Sequence, residues 1–78
     1  MEKNIKDTLV QEHIKSVEKI AKKYAEKTGI DMHELESYGY EGLLVGINKM
    51  DISQKKYVIN AKLRQYIEQY IIRGIKEM

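Results

Sequence analysis

The stretch that decides the fold is Asp31–Asp51, DMHELESYGYEGLLVGINKMD, which has the pattern of one helix with its start and its exit. It contains three glycines at helical spacing, Gly39, Gly42 and Gly46. Glycine in a helix interior costs about 1 kcal/mol relative to alanine, so surface helices usually avoid it. Three glycines on one helix therefore indicate that other backbones approach it closely.

The start of this helix is predicted from its flanking residues. Asp31 and Glu34 form a capping-box-like pair, and Ile30 and Leu35 occupy the positions of a hydrophobic staple. At about 100° per residue, one sector of the helix is apolar or small. That sector, which we expect to face other helices, consists of Leu35, Gly39, Leu43, Gly46 and Met50, with Gly42 at its edge.

The opposite sector of the same helix is mostly polar. It consists of Glu34, Ser37, Glu41, Leu44 and Asn48, flanked by Tyr38 and Tyr40. Leu44 among polar neighbours, with tyrosines beside it, favours a contact surface for another protein. The alternative is that Leu44 and the tyrosines simply cover a small core.

Two further helices are predicted on either side of this one. Apolar residues recur at three- and four-residue steps from about Lys3 to Lys27, and Gly29 marks the stop of that helix. After a polar connection over 51–56, a third amphipathic helix runs from about Tyr57 to the end. We therefore expect an all-α fold, a small three-helix (possibly four-helix) bundle formed by residues 1–78 as a single domain.

Composition excludes several classes of protein. The 78 residues contain no Cys, so neither a disulfide framework nor a thiolate metal site is possible, and a reducing cytoplasm is the expected location. No apolar run approaches the roughly 20 residues of a membrane span, so no membrane partner is expected.

Basic residues are concentrated in the C-terminal part of the chain. Residues 1–50 contain eight Lys and nine acidic residues, whereas residues 51–78 contain six basic and three acidic residues. Tyr57, Tyr66 and Tyr70 lie among these cations, and aromatic rings interleaved with basic groups are typical of single-stranded DNA binding. The alternatives are a solvated lysine-rich face and, for Tyr66 and Tyr70, a place in the core.

The chain lacks recognisable catalytic chemistry. His13 and His33 lie on separate elements without a third histidine, so no metal site is predicted, and His13 is interpreted as a helix-packing residue. There is no Gly-rich phosphate loop, and no serine stands in the sequence context of a hydrolase nucleophile. We expect no enzymatic activity and no cofactor.

The run VEKIAKKYAEKTGIDMHELESYGYEGLLVGINKMD resembles region 2 of the sigma-70 family of bacterial RNA polymerase sigma factors. The second helix of that region has the form D/E-L-x-x-x-G-x-x-G-L, followed by a large apolar or aromatic residue and Asp. Here that form is Glu34-Leu35, Gly39, Gly42-Leu43 and Met50-Asp51, and the closing YIIRGI also looks like the family's ending. The resemblance covers roughly residues 8–78 and implies a bundle of the sigma region 2 type.

The resemblance implies a partner for the second helix, because in sigma factors this helix docks on the coiled-coil clamp helices of the largest subunit of core RNA polymerase. The positions that correspond are Glu34, Ser37, Tyr38, Tyr40, Glu41 and Leu44. The family's usual Gln-Glu before the first glycine is Ser37-Tyr38 here, and the aspartate-proline after the helix is Asp51-Ile52.

The third helix corresponds to the promoter-melting helix, whose aromatic residues stack on flipped bases of the −10 element. When YIIRGI is aligned with the family's ending, the family's tryptophan pair falls on Gln65-Tyr66 and its base-stacking tyrosine falls on Lys62. An earlier tyrosine of the family falls on Tyr57. The sequence of this chain contains no tryptophan. The expected DNA-contacting residues are Lys55, Lys56, Tyr57, Lys62, Arg64, Gln65, Tyr66, Gln69 and Arg73.

The chain ends where region 2 ends, so it resembles a free-standing region 2, similar to the small co-sigma protein of bacilli. The resemblance implies three partners: core RNA polymerase, promoter DNA at the −10 region, and a second sigma-like subunit that reads the −35 element. Three other hypotheses stay open. One is a protein-only transcription regulator without DNA contact, another is a self-associating helical module, and the third is a piece of a longer sigma factor.

Overall fold

Three α-helices account for nearly all of residues 5–78, which are the residues that the structure, a computed structural model, describes. Helix α1 spans Ile5–Thr28, α2 spans Met32–Lys49 and α3 spans Lys56–Glu77, and no strand occurs in this range. The predicted all-α, three-helix architecture is confirmed, with boundaries within about two residues of those expected from periodicity. The predicted start of the first helix at Lys3 lies outside the described residues.

The turn between α1 and α2 depends on one glycine and one aspartate. Gly29 has a φ of 76°, which side chains disfavour, and its amide donates to the Ala25 carbonyl at 2.8 Å. Asp31 caps α2, because its Oδ1 accepts a hydrogen bond of 2.8 Å from the amide of His33. These two residues stop one helix and start the next within three positions.

The connection between α2 and α3 is closed by Asp51. Its Oδ1 accepts from the amide of Ser53 at 2.9 Å and from the Ser53 hydroxyl at 2.7 Å. These two bonds hold the pKa of the Asp51 carboxyl below its usual value. The amide of Gln54 donates to the Asp51 carbonyl at 3.4 Å, which completes a tight turn before α3.

The core is a single cluster to which all three helices contribute. Its largest fully buried side chains are Val17, Leu35, Leu43, Leu63, Ile67 and Ile71. The predicted apolar stripes face the core over most of their length, but residues at their ends are exposed. Ile5 is 52% exposed and Met78 is 53% exposed.

The glycines of α2 allow the backbone of α3 to come into close contact with α2. A Cβ atom placed on Gly42 would stand 2.6 Å from the carbonyl oxygen of Tyr66, and one on Gly46 would stand 2.9 Å from the Tyr66 ring. A Cβ on Gly39 would meet Val17 of α1 at 2.9 Å. Gly74 of α3 makes the reciprocal contact, since the ring of Tyr38 fills the space that a side chain there would need.

Helices α1 and α3 are joined by polar contacts centred on Glu68. Its Oε2 accepts from Lys23 Nζ at 3.0 Å and from the Tyr24 hydroxyl at 3.1 Å. The hydrogen bond from Lys23 is the main reason that the pKa of Glu68 is lowered. Burial, followed by the bond to Glu68, raises the pKa of Tyr24.

Candidate functional site

The side of α2 that faces away from the other helices presents four exposed residues, Glu34, Ser37, Glu41 and Leu44. We call this set the α2 outer face. Leu44 is 51% exposed, and it is not part of the core cluster. The Ser37 hydroxyl donates to the Glu34 carbonyl at 2.7 Å, so this hydroxyl is directed along the helix. The α2 outer face is therefore an acidic surface with one exposed leucine.

The two tyrosines predicted on the same surface lie elsewhere. Tyr38 is half-buried, and its ring packs on Gly74 of α3. Tyr40 is also half-buried against the core, and burial, with Glu36 and Glu18 contributing, raises its pKa. The sequence left two interpretations of these residues open. Both tyrosines fit the interpretation in which they cover the core. Leu44 fits the interpretation in which it is an exposed contact residue.

The residues predicted to contact DNA divide into separate groups. Lys62, Gln65 and Gln69 are exposed and follow one another at three- and four-residue steps along the outward side of α3. We call them the α3 outer face. Lys55 and Tyr57 are exposed at the beginning of the helix, and Tyr57 is 69% exposed, the highest value among the large apolar or aromatic side chains of the described residues.

Lys56 and Arg64 point in another direction, towards α1. They line a cleft of about 420 Å³ between α1 and α3. The cleft, called the α1–α3 cleft below, is mostly polar and is lined by Glu12, His13, Ser16, Lys56, Asn60 and Arg64.

Two side chains that line this cleft, His13 and Asn60, contain buried polar atoms. His13 is only 4% exposed, and its Nδ1 donates to the Leu9 carbonyl at 2.9 Å, so in the neutral ring Nε2 is an acceptor. The Oδ1 atom of Asn60 is buried and has no hydrogen-bond partner within the described residues. A buried acceptor without a donor is costly, by about 1–3 kcal/mol. The carbonyl oxygen of Asn60 is therefore enclosed by the protein and is not open to the cleft.

The rim of the cleft, by contrast, is cationic. Lys56 and Arg64 are both exposed, and Lys56 Nζ lies 3.4 Å from Glu12 Oε1. An exposed pair at that distance contributes little to stability and is easily exchanged for another anion. The α1–α3 cleft thus combines neutral polar side chains of both helices with two exposed cations.

Tyr66 and Arg73 belong to neither DNA-facing group. The Tyr66 ring is half-buried against Gly46 of α2, so it is part of the helix interface. Arg73 pairs with Glu77 at 3.1 Å, and its guanidinium lies 5.8 Å from the centroid of the Tyr70 ring. It borders a hollow shared with residues of α2, on the side of α3 away from the cleft.

Sequence reasoning missed the residues that α1 and α3 contribute jointly: Glu12, His13, Ser16 and Asn60. One signal was present, because Lys56, Asn60 and Arg64 stand at successive four-residue steps and so share one side of α3. What the sequence could not indicate is that α1 presents His13 and Ser16 opposite that row.

Within residues 5–78, no helix has both the length and the apolar character that crossing a membrane requires. In the same range, no three His, Asp or Glu side chains are grouped so that they could hold a metal ion.

Comparisons of the chain with protein-family models, with curated proteins and with solved structures give no match. The relationship to sigma region 2 therefore stays a prediction that depends on the residues themselves.

Proposed function

We propose that this chain is a sigma region 2-like subunit of transcription initiation. It docks on the clamp helices of core RNA polymerase through the α2 outer face. It binds the unpaired strand of the promoter −10 element through α3 and the α1–α3 cleft. A separate subunit recognises the −35 element.

The observation that supports this most directly is the opposite chemistry of two exposed surfaces on one small bundle. Helix α2 has three glutamates and one lysine, whereas α3 has five basic and two acidic residues. Acidic and basic groups that are segregated in this way favour two different partners, one of which is polyanionic.

The DNA-facing surface has the components that single-strand binding uses. Tyr57 offers a free ring for base stacking, which is worth about 1–3 kcal/mol per base in proteins of this kind. Lys62 and Arg64 are exposed cations on the same helix and can neutralise phosphates. The α1–α3 cleft, which Arg64 lines, is open enough to receive part of a nucleotide.

The α2 outer face has the composition of a modest protein interface. Leu44 supplies apolar contact area, and Glu34 and Glu41 supply charges that a basic partner helix would complement. Interfaces commonly depend on a few central residues, and Leu44 is the candidate for that role.

Retention of core polymerase by the tagged chain, with and without a subunit carrying a −35-reading domain, tests the protein contact. Leu44→Arg should reduce retention by about tenfold or more, because it removes an apolar contact and places a cation at the interface centre. Gln11→Arg is the matched control, because it adds the same charge at an exposed position of α1, outside the α2 outer face. If the wild-type chain is not retained in either condition, the proposal is wrong.

Fluorescence anisotropy with the −10 non-template strand at several salt concentrations tests the DNA contact. Changing Lys62 or Arg64 to Ala should weaken binding and lower the salt slope by about one for each phosphate that is no longer neutralised. Tyr57→Ala should weaken binding with little change in the slope, since stacking releases no counterion. Lys19→Ala, at an exposed position of α1, removes a charge outside the proposed surface and serves as control.

Polymerase binding without any salt-dependent DNA binding would favour the protein-only regulator instead. A helical module that self-associates through Leu44 would sediment as a dimer, and Leu44→Arg would make it monomeric.

A further inference from the structure

We propose that the α1–α3 cleft binds a backbone phosphate of the DNA strand, and that Glu12 competes with this phosphate for Lys56. This site rests on the proposed function, since the phosphate belongs to the unpaired strand that the chain binds. What is added is the part of the nucleotide that enters the cleft and the residue that opposes its entry.

The cleft has more positive than negative charge. Lys56 and Arg64 are exposed cations, and Glu12 is the one acid among the residues that line the cleft. Lys56 Nζ lies 3.4 Å from Glu12 Oε1, whereas Arg64 makes no hydrogen bond or ion pair within residues 5–78. A guanidinium has planar donors that match the oxygens of a phosphate. Arg64 is therefore available to bind one.

The two cations lie in one row on α3. Lys56, Asn60 and Arg64 follow one another at four-residue steps, so they share one side of the helix. Successive members of the row are separated by about 6 Å along the helix axis. Both cationic side chains are long and can turn their charged ends towards the cleft, on either side of Asn60. The strand therefore meets two cations along a single side of α3.

Neutral side chains of the cleft supply further donors. The carbonyl oxygen of Asn60 is enclosed, so its amide nitrogen is the atom that remains accessible. The Ser16 hydroxyl makes no hydrogen bond within the described residues and can rotate to donate. His13 offers no donor in its neutral form, because its Nδ1 hydrogen is directed to the Leu9 carbonyl. The oxygens of a backbone phosphate are all acceptors, so donors from both helices suit it.

Glu12 is the group that the phosphate displaces. Its distance of 3.4 Å to Lys56 exceeds the roughly 2.7–2.9 Å of a strong charged hydrogen bond, and the pair is exposed. Such a pair stabilises a protein little. A phosphate carries a full negative charge and is held by further contacts along the strand. Lys56 therefore favours binding and Glu12 opposes it, although the two residues form one ion pair.

Fluorescence anisotropy with two DNA strands of about twelve nucleotides tests this site. One is the −10 non-template strand, and the other has the same number of phosphates but abasic sugars throughout. Glu12→Gln should bind the −10 strand about threefold more tightly than the wild-type chain, and Lys56→Gln about threefold more weakly, as expected for one exposed ion pair gained or lost. Both ratios should be the same with the abasic strand at low salt, because phosphate contacts do not read the base.

Two control variants make the same charge changes elsewhere on α1. Glu18 and Lys19 are exposed and line another hollow, between α1 and α2. Glu18→Gln and Lys19→Gln should change the affinity much less, because salt screens charges that lie away from the cleft. In a chain that already carries Lys56→Gln, the gain from Glu12→Gln should be smaller, since the shared cation is gone. Circular dichroism of each variant verifies that the helices are intact.

Inorganic phosphate at constant ionic strength distinguishes a phosphate of the strand from a free one. It should displace the labelled strand only at about 1 mM or above, because a single ion lacks the neighbouring contacts that hold a strand. Displacement at micromolar concentrations that is lost in Lys56→Gln would assign the cleft to a free phosphate and overturn its assignment to the strand.

Three other results would overturn the phosphate site while leaving DNA binding in place. They are unchanged binding by Glu12→Gln or Lys56→Gln, an equal gain in Glu18→Gln, and a gain that disappears with the abasic strand. Absence of any binding to the abasic strand at low salt would contradict the site as well. Failure of the wild-type chain to bind the −10 strand would instead overturn the proposed function, and the phosphate site with it.

Discussion

Replacing Gly42 by alanine tests the close approach of α2 and α3. The added Cβ would stand 2.6 Å from the carbonyl oxygen of Tyr66 and 2.8 Å from Tyr70 Cβ. Carbon atoms approach such oxygens to about 3.3 Å at the closest, so the helices must separate by roughly 0.7 Å. The oxygen belongs to the backbone of α3 and cannot move without moving the helix. Most of the cost therefore falls on the α2–α3 interface.

The magnitude follows from two opposing effects. Overpacking of a core costs about 1–3 kcal/mol, and a backbone contact belongs near the upper end of that range. Alanine gains about 1 kcal/mol of helix propensity over glycine. The expected net loss in the free energy of unfolding is about 1–2 kcal/mol. For a domain of this size, that loss lowers the melting temperature by about 5–15 °C.

Thermal unfolding followed by far-ultraviolet circular dichroism measures this shift, and urea unfolding gives the free energy itself. Ser37→Ala is the control on the same helix, because Ser37 is exposed and the change adds no atom to an interface. It should leave stability equal or slightly increased. If Gly42→Ala is as stable as the wild-type chain, the two backbones are not in contact at this point.

The remaining predictions concern the helix start, an ion pair and a ring contact. Asp31→Ala removes the cap of α2 and should cost about 1 kcal/mol in urea unfolding. The pKa of Glu68 is lowered in the folded chain. Its contribution to the free energy of unfolding is therefore fully present above the ordinary carboxyl pKa and is lost as the pH falls through the pKa of Glu68 in the folded chain. At neutral pH the wild-type chain should be only slightly more stable than Glu68→Gln, since the ion pair of Glu68 with Lys23 is exposed. At acidic pH the difference between the two chains in urea unfolding should vanish. Gly74→Ala should destabilise the fold by about 1–2 kcal/mol through a clash with Tyr38, and adding Tyr38→Ala should cost less than the two single changes summed.

The fold was predictable because each of its signals is local. The apolar period defines the inward side of each helix, Gly29 provides the left-handed residue that ends α1, and Asp31 provides the cap that begins α2. The three glycines of α2 were correctly expected on the buried side.

The candidate site was predictable only in part. Periodicity indicates which side of a helix is buried, but it does not indicate which neighbouring helix a given residue faces. Lys56 and Lys62 both looked like members of one basic surface, yet Lys56 faces the cleft with α1 and Lys62 faces outward. Tyr66 was assigned to DNA by alignment, whereas its ring packs on Gly46, because the glycine leaves a space that an aromatic ring fills.

The α2 glycines also determine which pair of helices in the bundle can yield. The glycines of α2 are in direct contact with backbone and side-chain atoms of α3, so the distance between these two helices can change little. Helices α1 and α3 are joined through the ends of long side chains, such as Lys23 with Glu68 and Lys56 with Glu12. Side chains of that length can lengthen or shorten their reach by rotation about several bonds. Of the two boundaries that α3 forms, the one with α2 is therefore the stiffer, and the α1–α3 cleft lies along the other, which long side chains bridge.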